Sequence, residues 1–253
     1  MVAVSLKTKI DAYTRHLTAT PFTGAYLTLA VAAILSMVVM AQMRFPPVPK
    51  RTSASDTGRP LNVIWRQPVF VVATLGAALG YAVMNLLMAA TPLAMQVCGM
   101  SFENTAWVLE WHVFGMFAPG FFTGHLIKRF GVLRIMGVGV LLNLVCIAVA
   151  LNGEDLTHFT IALFVLGVGW NFLFTGSTTL SLEAYTAAEK DKAQGAINFV
   201  TFLLMALSSF ASGALINTQG WAWLNMGAAV PVVITGAGLW WLSLQRATKA
   251  RLA

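Results

Sequence analysis

Seven apolar stretches dominate this chain: residues 22–43, 69–97, 103–127, 132–151, 158–182, 194–216 and 222–244. A helix crosses the hydrocarbon core of a bilayer with about 20 mostly apolar residues, and every stretch meets that length. Composition agrees. The chain is 58% hydrophobic and only 10% charged, with a mean hydropathy of +0.75. A soluble domain carries about 25% charged residues. The expected fold is therefore all-α: a polytopic membrane protein with about seven transmembrane helices.

The loops between the stretches sort by charge. Arg44, Lys50, Arg51, Arg59 and Arg66 lie in 44–68; Lys128, Arg129 and Arg134 lie in 128–134. Lys190 and Lys192 lie in 183–193, and Arg246, Lys249 and Arg251 lie in the tail. These alternate segments hold 13 of the 16 basic residues, whereas 98–102, 152–157 and 217–221 hold none. Short basic loops stay cytoplasmic, so the four basic segments are expected inside. The net charge of +7 then reflects topology. Nucleic-acid binding would need a basic face on a soluble fold, and none is expected.

With seven spans and an inside tail, the N-terminus falls outside, yet residues 1–21 carry Lys7, Lys9 and Arg15, which favour the inside. A piece of a larger protein, with helices upstream, reconciles the two. The expected organisation is a polar lead-in at 1–21, a single spanning helix at 22–43 and a linker at 44–68. A six-helix bundle at 69–244 and a tail at 245–253 complete it. The linker opens on Phe45-Pro46-Pro47-Val48-Pro49, which cannot continue a helix. The Ser/Thr/Asp/Gly run that follows is expected to be flexible. Within the bundle, small-residue pairs at Gly76/Gly80, Gly120/Gly124 and Ser209/Gly213 are expected to let helices approach closely. Pro92, Pro119 and Pro231 fall inside spans and favour kinks.

Polar groups at membrane depth are costly, and ionisable ones usually face a cavity or a partner. Glu110 lies about two turns into the third span; it is the candidate proton-linked or solute-contacting acid. His112, two residues on, points to the opposite side of the helix and is expected to pack against a neighbour. Asn171 sits near mid-depth of the fifth span, ahead of Thr175, Ser177, Thr178 and Thr179. Asn85 in the second span and Asn198 in the sixth complete the candidate pathway of Asn85, Glu110, Asn171 and Asn198. Asn143 is expected to be packing glue. Cys98 and Cys146 lack CxxC spacing, so reduced thiols and no metal site are expected. HExxH, GxSxG and P-loop patterns are absent from the sequence. No enzyme, cofactor or ATP-driven pump is expected.

The loop Gly124-His-Leu-Ile-Lys-Arg-Phe-Gly-Val-Leu-Arg134 resembles the signature loop of the major facilitator superfamily in its second-half copy. Gly124, Arg129 and Gly131 occupy matching slots, Arg134 supplies a late basic residue, and Lys128 stands where the family has Asp. Glu183-Ala-Tyr-Thr-Ala-Ala-Glu-Lys190 resembles the family's Glu-x(6)-Arg element, with Lys190 in place of Arg. The resemblance covers about residues 20–250. It implies the last helix of a first half, the central linker and the whole C-terminal six-helix half of a bacterial twelve-helix permease, multi-pass in the inner (plasma) membrane. It implies that spans two, three, five and six of this chain line a path between the two halves. It also implies an inner gate of Arg129 and Glu183, with Lys190 beside them. The expected function is secondary, proton-coupled transport of a small solute by alternating access. The partners would be the bilayer, the solute and an N-terminal six-helix half, missing or on a separate chain. A seven-helix receptor or interaction module, or an inactive remnant, are the alternatives. Substrate, direction and coupling ion are not legible.

Overall fold

A computed structural model describes residues 23–44 and 58–252. The lead-in at 1–21, with Lys7, Lys9 and Arg15, lies outside the described residues, as does most of the linker with its proline run. The chain divides into two units, Met1–Asp56 and Thr57–Ala253, each considered by itself.

The first unit contributes α1, Thr23–Gln42, apolar along its length. The second unit runs α2 Leu61–Trp65, α3 Pro68–Val97, α4 Phe102–Phe117, α5 Gly120–Phe130 and α6 Val132–Asn152. It continues with α7 Leu156–Ser181, a 3₁₀ turn at Ala187–Glu189, α8 Lys190–Thr218 and α9 Gly220–Leu252. The described residues form helices and no strands. Helices α3, α6, α7, α8 and α9 are long and apolar enough to cross a bilayer. The expected third span is divided into α4 and α5.

Local chemistry sets the helix ends. Pro68 occupies the first turn of α3, where its missing N–H costs nothing. The Ser101 hydroxyl accepts from the Asn104 N–H at 3.2 Å to cap α4, and the Asp155 carboxylate accepts from the His158 N–H at 2.9 Å to cap α7. Gly131, at φ 90°, turns the chain from α5 into α6 in a conformation that a side chain would strain.

Helix α7 is the hub, packing on α3, α4 and α6, and glycines bring the backbones together. A Cβ at Gly167 would lie 2.5 Å from the His112 carbonyl oxygen on α4, and one at Gly115 would lie 2.5 Å from the Phe164 carbonyl oxygen on α7. At Gly139 of α6 it would lie 2.9 Å from the Gly169 carbonyl oxygen, and at Gly76 of α3 2.5 Å from Ser177 Oγ. Of the three small-residue pairs picked from sequence, Gly76/Gly80 forms such a seam, whereas a Cβ at Gly124 or Gly213 would meet nothing of another helix within 4 Å.

The two loop sets lie at opposite ends. Cys98 and Glu154 meet at 3.6 Å, joining the α3–α4 and α6–α7 connections. The Trp221 indole N–H donates to the Ala150 carbonyl at 3.0 Å at that same end, so this tryptophan is buried between helices and is not a lipid-facing anchor. At the basic end, Arg246 pairs with Glu183.

Candidate functional site: the polar groups of α3, α4, α5, α7 and α8

Asn85 is half-buried on α3 and faces α8. Its Nδ2 lies 2.8 Å from Ser209 Oγ, 3.0 Å from Ser208 Oγ and 3.3 Å from the Met205 carbonyl oxygen. Two protons serve three acceptors, so the amide has a choice of partners along α8. Asn198, also on α8, is exposed. Only a narrow stripe of α8 is buried, Ala193, Ile197, Thr201 and Ser212.

Glu110 is half-buried on α4, beside an aromatic ladder in which Trp107 meets Trp111 and Trp111 meets Phe114 and Phe164 edge-on. His112 is fully buried, and its Nδ1 lies 2.7 Å from the Leu163 carbonyl. A carbonyl only accepts, so Nδ1 carries the proton and the imidazole holds α4 to α7. This is the packing role expected for it.

Asn171 is buried on α7, at 7% exposure. Its Nδ2 donates to the Met116 carbonyl at 2.7 Å, in the last turn of α4. Its Oδ1 lies 2.7 Å from the Thr123 hydroxyl, in the first turn of α5, whose one proton is shared between this oxygen and the Pro119 carbonyl, also at 2.7 Å. An amide at membrane depth needs partners, and both ends of this one find them on the two pieces of the divided span. Asn143 donates to the Gly139 carbonyl at 2.8 Å within its own helix.

The three residues expected at an inner gate do not meet in this structure. Glu183, just past α7, pairs with Arg246 on α9 at 2.6 Å, both side chains being partly exposed. Arg129, in the last turn of α5, lies 5.3 Å over the Phe130 ring. Lys190 is exposed at the start of α8. Glu183 therefore takes its cation from the end of α9, whose Arg246 side chain reaches the α7–α8 connection.

Sequence reasoning missed the strongest polar contact at the basic end. Glu189 is 1% exposed and receives three bonds from Arg59. The backbone N–H donates to Oε1 at 2.7 Å, Nε to Oε1 at 2.8 Å and Nη2 to Oε2 at 2.8 Å. Arg59 Nη2 and Gln67 Nε2 also reach the Ala184 carbonyl, at 3.0 and 2.8 Å. The Arg59 guanidinium, helped by the Thr186 N–H at 2.9 Å, holds the Glu189 carboxyl well below the usual carboxylate range. The local half was legible: Thr186-x-x-Glu189 is a capping box. The far half was not, because Arg59 lies 130 residues away. The result is a clasp that ties the start of the second unit to the α7–α8 connection.

Among the described residues no cluster of His, Cys, Asp and Glu could hold a metal ion. An open cavity of about 370 Å³ lies between the end of α6 and the start of α7, lined by Val145, Ala148, Val149, Asn152, Thr157, His158 and Ile161, away from these polar groups.

Comparison with known proteins gives the lineage. The family model of the Major Facilitator Superfamily matches residues 74–253. The riboflavin transporter RfnT of Brucella anthropi is 42% identical over 205 residues, covering 81% of this chain and 52% of that protein. Two uncharacterised MFS-type transporters of Bacillus subtilis also match. YdeG is 33% identical over 59% of this chain and 34% of its own length, and YddS is 28% identical over 62% and 38%. The chain thus spans about half or less of the length of these relatives. No solved structure matches. On the family match and the multi-span helical fold that carries it, the chain belongs to the major facilitator superfamily.

Proposed function

We propose that this chain forms the second half of a secondary transporter that moves a riboflavin-like solute by alternating access. The 42% identity to a riboflavin transporter over 81% of the chain carries the reading. An N-terminal six-helix half completes the path. Asn85, Glu110 and Asn198 supply polar groups toward the solute, and Asn171 shapes the wall between α4 and α5. Glu110 takes up the coupled proton, as the half-buried carboxylate of the spanning helix α4. At the basic end, Glu183 exchanges Arg246 for Arg129 as the cytoplasmic side closes. The present Glu183–Arg246 pair is partly exposed, and such pairs are worth about 0–1 kcal/mol, so it is cheap to break. The protein acts in the plasma membrane.

The test is riboflavin uptake into proteoliposomes holding this chain with a six-helix first half. Uptake should follow an imposed proton gradient and become gradient-independent in Glu110→Gln. Uptake that ignores the gradient in the parent would remove the proton role. No uptake of riboflavin by a folded assembly would remove the solute assignment.

A further inference from the structure

Three prolines lie within the apolar spans, and they behave differently. Pro92 and Pro231 sit inside unbroken helices. Pro119 separates α4 from α5. Proline removes one donor from the ladder and crowds the preceding turn, so a break leaves carbonyls short of partners. In hydrocarbon those carbonyls must be satisfied from elsewhere. The ladder of α4 runs to the Ala118 N–H, which donates to the Phe114 carbonyl at 2.9 Å. Beyond it the ladder restarts weakly on the Ala118 carbonyl, which accepts from the Phe121 N–H at 3.4 Å, and then on the Pro119 carbonyl, which accepts from the Phe122 and Thr123 N–H groups at 3.0 and 2.8 Å.

Asn171 lies across this gap, with its donor on Met116 and its acceptor on Thr123. A Cβ at Gly120 would come within 3.7 Å of its Nδ2, so the chain passes close to the amide. The segment beyond the break touches α6 and α7 but buries little of itself. Thr123 is the one buried residue of Gly120–Phe130, and it is the residue that Asn171 bonds. By contrast, α4 is locked to α7 by the glycine contacts at Gly115 and Gly167 and by the His112–Leu163 bond. The last turn of α5 carries Lys128 and Arg129.

We propose that Asn171 is a positioning residue: its amide staples the two halves of the broken span and so sets the direction of the arm Gly120–Phe130, with Lys128 and Arg129 at its tip. The two contacts hold the arm in one position against α7. Their loss frees the arm to swing about Pro119 while α4 stays seated on α7. The inference concerns the arm alone, and stands whichever solute the protein carries.

Hydrogen exchange of the full chain in lipid nanodiscs tests it. Asn171→Ala should speed exchange of the amides in 121–127 about tenfold, the effect of losing a buried hydrogen bond to local opening. Exchange in 102–116 and in α6 should stay within about twofold of the parent. Pro119→Ala restores the missing donor and a continuous helix, so in that background Asn171→Ala should no longer speed the arm. This coupling is what a merely structural asparagine would not show. Thr123→Val, which removes the hydroxyl facing Asn171 Oδ1 and the Pro119 carbonyl, should speed the same amides. Thr123→Ser, which keeps the hydroxyl, should not. The Thr123 pair carries the test if Asn171→Ala does not fold. Unchanged exchange in the arm, uniform acceleration along α4 to α7, or full acceleration that persists with Pro119→Ala would each overturn the proposal.

Discussion

Helices α7 and α8 are consecutive, similar in length and similarly apolar, yet they are built for different neighbours. Helix α7 is enclosed by α3, α4 and α6, and its contacts are made by backbone against glycine. Helix α8 lies chiefly on α3 and buries a single stripe. Phe199 and Phe210 of α8 are 69% and 81% exposed. In lipid there is no hydrophobic force between helices, so close approach of small residues is what holds a bundle together. The difference teaches that polarity alone does not mark which span is central. The spacing of glycines opposite carbonyls does.

The sharpest way to break this comparison is to add volume to the hub. Gly167→Val places a side chain where a Cβ already meets the His112 carbonyl at 2.5 Å and the Met116 N–H at 2.8 Å. Neither backbone can move without separating α4 from α7. The expected loss is about 3 kcal/mol or more, seen as collapse of the monodisperse peak or of the thermal transition in detergent. A well-folded Gly167→Val would show that the seam is loose.

Asn85→Ala deletes the polar link between α3 and α8. A cost of about 1–2 kcal/mol is expected in the same melting assay, since the serine hydroxyls can turn back to their own helix. Ser208 already donates to the Met205 carbonyl at 2.8 Å.

Glu189→Gln should act through pH. The carboxyl is depressed in the folded protein, so its stabilisation is complete above the unfolded carboxylate value of about 4.3. It is lost as pH falls toward the depressed value. The melting temperatures of parent and variant should therefore differ at pH 7 and converge on acidification below about pH 4. A constant gap would mean that the Arg59 contact is insensitive to charge.

The smallest effect belongs to the exposed side of α8. Phe210→Ala should change the stability of the isolated chain by less than about 0.5 kcal/mol. If a partner half covers this face, the same substitution should weaken that association instead, as read by co-purification.

The spans were legible because hydrocarbon imposes a length and an apolar composition, and both can be read without knowing any partner. The sorting of basic loops was legible for a similar reason. The resemblance to the superfamily in Gly124–Arg134 agrees with the match over 74–253. Much of the site was not legible. Nothing local says that Pro119 breaks a span while Pro92 and Pro231 do not, because the outcome depends on which neighbour supplies a donor. Asn171 supplies it from 55 residues away. Position offered Glu183 the cations Arg129 and Lys190, and the fold instead brings it Arg246 from the end of α9, 63 residues away. His112 fell on the expected side because its helix geometry alone turned it away from Glu110.

Glycine also limits how this bundle can change over time. Between a hydrogen and a methyl group no intermediate side chain exists. Any altered residue at Gly167 therefore arrives as a full clash with the carbonyl of His112. Such a position cannot drift by graded steps. A replacement there would persist only with a matching shift of the opposing helix, so the two backbones are expected to diversify together or not at all.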